Sequence, residues 1–227
     1  MFIGHFALGF AAKRVAPRVP LPVLFAAAQF ADLLWPLLLA LGLEQVRIDP
    51  GNTAFTPLDF VSYPYSHSLA MLVLWGLLFA LTWRTVASAN LKVAVTLALL
   101  VVSHWVLDFV SHRPDLPIYP GSDKFGLGLW SSVPATILVE TLLYVAGLSI
   151  YVTSTHARDG AGRWGLWSLG VGLFVIYLAS TFGPPPPSIT ALLLVGIVGL
   201  GLLLVWSAWV DVHREPTEAA RARSVRM

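Results

Sequence analysis

The sequence has no cysteine among its 227 residues, and it has few charged residues. The absence of cysteine excludes disulfide bonds, thiolate zinc sites, iron–sulfur clusters and cysteine nucleophiles. Charged residues make up 11% of the chain, whereas ordinary soluble domains contain about 25%. Disorder requires the opposite composition, with high charge and low hydrophobicity. The sequence therefore excludes a disordered chain and argues against a soluble globular domain.

Hydrophobic residues, in contrast, account for 57% of the chain, and its mean hydropathy is +0.76. A helix needs roughly 17–25 apolar residues to cross a bilayer. Six runs reach that length: 21–43, 67–83, 91–110, 134–152, 164–182 and 188–210. The run 2–12 is apolar but too short to cross. The sequence predicts an all-α, polytopic membrane protein with six transmembrane helices and a short N-terminal half-span helix.

Lysine and arginine are distributed unevenly between the predicted loops. If segment 13–20 lies in the cytoplasm, eleven basic residues fall on that side, and only Arg47, Arg113 and Lys124 fall on the other. Basic residues concentrate on the cytoplasmic side of membrane proteins. The pattern predicts an integral domain in residues 1–210 of a cell (inner or plasma) membrane protein, then a polar cytoplasmic tail in residues 211–227. Membrane lipid is the expected partner, and no basic patch indicates nucleic acid.

Six ionisable residues lie inside or at the edges of the apolar runs: His5, Asp32, His67, His104, Asp108 and Glu140. An ionisable side chain within a span is costly and indicates a functional site by default. Helix rise places five of them in the outer half of the bilayer, and His5 joins them if its helix is upright. We expect the loops 44–66 and 111–133 to form the mouth of a shared cavity. Tyr63 and Trp130, in these loops, suit an outer interfacial belt.

His104 and Asp108 are four residues apart, which puts them on one helix face, and His112 continues that stripe. Such a pair can bind one metal, or Asp108 can orient His104 by a hydrogen bond. Asp32 shares a face with Pro36, which we expect to kink its helix. Three histidines and three carboxylates form a mixed nitrogen and oxygen ligand set, which suits Zn²⁺, Mn²⁺ or non-haem iron.

Structural roles for the same residues stay open. His104 and Asp108 can form a hydrogen bond between helices, and Asp32 can pair with a neighbouring helix. Glu140 can be protonated, because burial disfavours a charged carboxylate. His67 lies at a span start, where water can solvate it. Ser66, which precedes it, is a candidate N-cap for the second span.

At these positions the sequence resembles the YdjM-type membrane-bound metal-dependent hydrolases, an inner-membrane family of unknown function. The resemblance rests on Gly4-His5-Phe6, Ala31-Asp32-Leu33, Ser66-His67-Ser68 and His104-x-x-x-Asp108. The last spacing is also similar to the ligand pattern of zinc-dependent phospholipase C. The resemblance implies that the metal ligands are His5, Asp32, His67, His104 and Asp108. The chain departs from the family pattern at Leu34, where a second Asp is usual, and at Ser62-Tyr63, where a His-Arg pair is usual.

We therefore expect a membrane-embedded hydrolase that acts on a lipid or lipid-linked ester, with a phosphoester favoured, at the outer leaflet. Its cofactor would be a divalent metal, zinc before manganese or iron, and its catalytic residues would be Glu140 and Asp32, with Glu140 as general acid or base. Two other functions stay open. Polar residues at membrane depth also occur in transporters and ion-conducting proteins. The departures at Leu34 and Ser62-Tyr63 favour a structural or assembly factor.

Overall fold

A computed structural model describes residues 1–225, and helices form most of this chain. The helices are α1 (Ile3–Ala12), α2 (Leu21–Ala28), α3 (Phe30–Ala40), α4 (Leu69–Val86), α5 (Leu91–Ser111), α6 (Val133–Ser154), α7 (Gly160–Phe182), α8 (Ile189–Leu194), α9 (Leu200–Val212) and α10 (Glu218–Val225). A π-helical segment, Val195–Gly199, joins α8 to α9. Five helices are long and apolar enough to cross a membrane: α4, α5, α6, α7 and the continuous Ile189–Val212. The prediction of a mostly helical, multi-pass membrane protein is confirmed at this level.

The predicted first span, 21–43, differs from the structure. Its residues form two helices, α2 and α3, bent by 60° relative to each other, and only the pair together would make a sixth span. The bend lies at Gln29, whose φ of −100° and ψ of 15° are not helical. Helix α3 continues through Pro36, so the bend at Gln29 is separate from the kink predicted at Pro36. The end of α2 is held by His104, whose Nδ1 lies 2.9 Å from the Ala28 carbonyl oxygen. That contact satisfies one of the acceptors that every helix end leaves free.

Helix α1 is the predicted half-span, and it is enclosed by other helices. Ile3, Phe6 and Phe10 are at most 1% exposed. The ring of Phe25, from α2, makes edge contacts with Phe6 and Phe10. On the other side, a Cβ at Gly147 of α6 would lie 2.2 Å from the Ala7 carbonyl oxygen. The backbones of α1 and α6 therefore touch, which only glycine allows.

Strands, which the sequence did not predict, occur as three antiparallel pairs outside the membrane-crossing helices. The pairs are β1 (Gln45–Ile48) with β2 (Leu58–Ser62), β3 (Leu116–Pro117) with β4 (Lys124–Phe125), and β5 (Thr155–Ala157) with β6 (Arg214–Pro216). The first two pairs lie in the predicted outer loops, where Arg113 Nη2 donates to Asp59 Oδ1 over 2.5 Å. The two loops thus pack together at one end of the bundle.

At the opposite end, the segment after α1 meets the end of α9. Lys13 Nζ donates to Asp211 Oδ1 over 2.6 Å, and Asp211 Oδ2 accepts from Leu21 N over 3.1 Å. Burial lowers the pKa of Lys13, and the Asp211 carboxylate opposes that shift. Strand β6 and helix α10 lie within the predicted tail, and residues 226–227 of that tail lie outside the described residues. The segment after α1 and the C-terminal tail therefore lie at the same end of the bundle, as the predicted threading requires.

Candidate metal centre

Histidine and aspartate side chains from four parts of the chain meet next to α5. Two groups of three could hold a metal ion: His5 with His104 and Asp108, and Asp32 with His67 and His104. In each group, one ligand atom from every residue lies within 4.8 Å of the others. His104 belongs to both groups. The structure therefore brings together the five residues that the resemblance implies as ligands.

Asp108 lies at the middle of this cluster. Its Oδ1 lies 3.1 Å from His5 Nε2 and also accepts a hydrogen bond from the α-amino group of Met1. Its Oδ2 faces three imidazole nitrogens: Nε2 of His104 at 3.1 Å, of His112 at 3.8 Å and of His67 at 3.9 Å. The i and i+4 spacing on α5 brings His104 and His112 to opposite sides of this carboxylate.

The hydrogen bond of His104 defines its tautomer. Its Nδ1 lies 2.9 Å from the carbonyl oxygen of Ala28, which can only accept, so Nδ1 carries the proton. In a neutral ring, Nε2 then carries a lone pair. This Nε2 points towards Asp108 Oδ2 and lies 3.8 Å from Asp32 Oδ1.

His67 is held in the same tautomer by a chain of two side chains. Ser66 Oγ donates its one proton to Glu44 Oε2 over 2.6 Å, and it lies 2.7 Å from His67 Nδ1. The hydroxyl must therefore accept from His67 Nδ1, which leaves the lone pair on Nε2. That Nε2 lies 3.6 Å from Asp32 Oδ1. Ser66 is thus a partner of His67 rather than the predicted N-cap of α4, and the N-cap is Ser68, which accepts from Met71 N.

These contacts fit a metal ion. The Nε2 lone pairs of His67 and His104 repel the carboxylates that they face, and a cation between them would remove that repulsion. The Met1 α-amino group contacts Asp108 Oδ1, whereas the two Nε2 atoms face Asp108 Oδ2 and Asp32 Oδ1. In a metal-binding histidine, the N–H of the other ring nitrogen typically donates a hydrogen bond to a nearby acceptor. His104 donates in this way to the Ala28 carbonyl, and His67 donates to the Ser66 hydroxyl, which is itself bonded to Glu44. Imidazole nitrogen with carboxylate oxygen is a ligand set that zinc accepts in catalytic sites.

Glu140 was predicted to be catalytic, but it lies in neither group. Its Oε2 accepts from Phe2 N over 2.8 Å and from Gly4 N over 3.3 Å. These are backbone groups at the start of α1, where a negative charge is favoured. Within residues 1–225, its Oε1 has no hydrogen-bond partner. The contacts show that Glu140 fixes the N-terminal end of α1, and hence the helix that carries His5.

A second layer behind the cluster was not predicted. His112 Nδ1 lies 2.9 Å from Asp115 Oδ1, and Tyr63 Oη donates to the same oxygen over 2.6 Å. Tyr63 and Trp130 are 1% and 7% exposed, so their side chains face the protein interior and not the lipid. The His112 and Trp130 rings lie 4.1 Å apart between centroids. Burial, followed by the Asp115 carboxylate, raises the pKa of Tyr63 well above its ordinary value, which keeps the hydroxyl a donor.

The sequence spacing already indicated His112, because it continues the stripe of His104 and Asp108. Glu44 and Asp115 gave no such signal. Both lie in loops, where a sequence has no helical period to indicate which way a side chain points. Asp115 nevertheless contacts His112 Nδ1 directly, Glu44 acts on His67 through Ser66, and both carboxylates are buried.

Asp32 is the open side of the cluster. Its side chain is 30% exposed, while those of His67, His104 and Asp108 are at most 3% exposed. A reactant that reaches the cluster through this opening meets Asp32 first.

Comparisons with protein-family models, with curated proteins and with solved structures find no match for this chain.

Proposed function

We propose that the protein is a metal-dependent hydrolase embedded in the cell membrane, with α2 and α3 together as the sixth span. Its ligands are His5, Asp32, His67, His104 and Asp108, and zinc is the first choice of metal. The substrate class is a lipid or lipid-linked ester, with a phosphoester favoured, approached from the outer leaflet. The resemblance to YdjM-type hydrolases supports this class of activity.

The observation that carries the proposal is the pair of fixed tautomers. His67 and His104 both use Nδ1 as a donor to groups outside the cluster, so both direct Nε2 at Asp32 and Asp108. A proton on one Nε2 would also relieve the repulsion, which makes metal analysis the decisive measurement. The five ligands would hold a divalent metal, which would supply Lewis-acid polarisation of the ester and a more acidic bound water.

The other steps, proton transfer and the positioning of the ligands, are assigned to residues of the chain. Asp32, at the open side, would hold the metal through Oδ1, which faces His67 and His104. Its other carboxylate oxygen would accept a proton from the attacking water as general base. Glu44, Ser66 and the Ala28 carbonyl hold the two imidazole rings in orientation. Glu140 acts as a positioning residue for α1, because its contacts are with that helix.

The test is the metal content of protein purified without added chelator, measured by mass spectrometry of the elements. We expect bound zinc, manganese or iron in the wild type and its loss in the double variant His67→Ala, His104→Ala. His156→Ala is the matched control, since His156 is exposed and contacts Glu215 at the other end of the molecule. Metal-free wild type, or equal metal in all three proteins, would contradict the proposal and favour transport or assembly.

A further inference from the structure

An apolar pocket of about 470 Å³ lies between α3 and the continuous helix Ile189–Val212. Its lining includes Trp35 and Pro36 from α3, Gly196 and Gly199 from the π-helical segment, and Trp206 from α9. Pockets that hold small ligands in proteins have volumes of about 300–1,000 Å³. The pocket is therefore large enough for a ligand and is built by membrane-embedded elements.

One charged group, Asp32, interrupts the apolar lining of this pocket. Its Oδ1 lies 3.6 Å from His67 Nε2 and 3.8 Å from His104 Nε2. The pocket therefore ends at the open side of the metal centre. In a molecule with a hydrocarbon part and a polar head, the hydrocarbon part would contact the apolar lining and the head would lie at Asp32.

Two glycines keep the pocket open. A Cβ at Gly196 would already lie 3.5 Å from Cβ and Cγ of Pro36. At Gly199, a Cβ would meet only Val195 Cγ1, at 4.0 Å, so a side chain there has room to extend. A π-helical segment frequently occurs at functional sites, because its extra residue shifts the neighbouring side chains.

We infer that this pocket holds one hydrocarbon chain of a membrane lipid and thereby places the lipid's ester at Asp32. The inference rests on the proposed function and narrows its substrate to a lipid with an aliphatic chain. A helix of a second protein does not fit, because a 20-residue helix 30 Å long and about 10 Å wide has a volume of roughly 2,400 Å³. Since lipid tails are as apolar as leucine, burial alone gives little affinity. The function of the pocket is to position the chain.

The experiment uses the full chain in vesicles of phosphatidylethanolamine and phosphatidylglycerol. A trace of the phosphatidylglycerol carries a photoactivatable diazirine near the end of one acyl chain. After illumination, peptide mass spectrometry locates the adducts. We expect enrichment on Trp35 and Trp206 over Val171 and Val205, two lipid-facing residues that are 60% and 67% exposed.

Gly199→Leu fills the pocket and should abolish that enrichment. Gly201→Leu is the matched control, because a Cβ at Gly201 meets nothing within 4 Å and Gly201 does not line the pocket. Equal adducts on pocket and lipid-facing residues, or enrichment that survives Gly199→Leu, would overturn the inference. Metal content is measured in the same samples. Bound metal without adduct enrichment would refute only the inference that the pocket holds a lipid chain. Enrichment without bound metal would refute only the proposal of a metal-dependent hydrolase.

Discussion

Residues behind the ligands determine which atoms the cluster presents. Ser66 Oγ accepts a hydrogen bond from His67 Nδ1 and donates one to Glu44 Oε2. His104 uses a backbone carbonyl for the same purpose. A backbone acceptor cannot be removed by substitution, whereas a serine can. The two histidines therefore differ in how easily their orientation can be tested.

Ser66→Ala removes the acceptor of His67 and leaves every ligand in place. Loss of such a partner typically weakens metal binding by about 10–100-fold. We expect a decrease of that size in zinc affinity, measured by competition with a chromophoric chelator. Ser68→Ala is the control from the same loop. It removes the N-cap of α4, which costs about 1 kcal/mol of helix stability. Equal zinc affinities for the two variants would refute the role of Ser66.

At the scale of elements, the position of His5 depends on the contact of α1 with α6. The contact has two parts: the Glu140 carboxylate accepts from backbone groups at the start of α1, and Gly147 touches Ala7. Both parts involve backbone atoms, which cannot move away as a flexible side chain can. Helix α1 is therefore held at a fixed distance from α6, and its histidine at a fixed place beside Asp108.

Gly147→Ala places a methyl group where the Ala7 carbonyl now lies, so α1 must move. Overpacking of this kind costs about 1–3 kcal/mol. We expect a lower unfolding temperature in detergent and reduced metal content, because His5 moves with α1. Gly201→Ala adds the same methyl group to a helix with open space around it and should change neither quantity. A lower unfolding temperature with unchanged metal content would count against His5 as a ligand.

At the scale of the whole molecule, the two ends of the bundle should face opposite sides of the membrane. The absence of cysteine makes this testable, since every introduced cysteine is the only thiol. Asp123→Cys lies at the end with the first two strand pairs, and Gly160→Cys lies at the end with Lys13 and Arg214. We expect a membrane-impermeant maleimide added to intact cells to label the first variant and to spare the second until the cells are opened. The reverse pattern would place the cluster in the cytoplasmic half.

Much of this organisation could be predicted from hydrophobic length and charge. The apolar runs located the helices to within a few residues, as 91–110 against Leu91–Ser111 shows. The scarcity of charge singled out His5, Asp32, His67, His104 and Asp108, because each is costly in a membrane. The bend at Gln29 and the partners Glu44 and Asp115 could not be predicted in this way. They depend on contacts between distant segments, which leave no local period in the sequence.

The burial of α1 also has a consequence for the order of events during synthesis. Helix α1 emerges first, yet its partner Glu140 follows 138 residues after Phe2. At about 5–20 residues per second, the ribosome needs roughly 7–28 s to make that length. His5 has no α6 to hold it until after Asp32, His67, His104 and Asp108 have all been made. The complete cluster can therefore form only after α6 has been made.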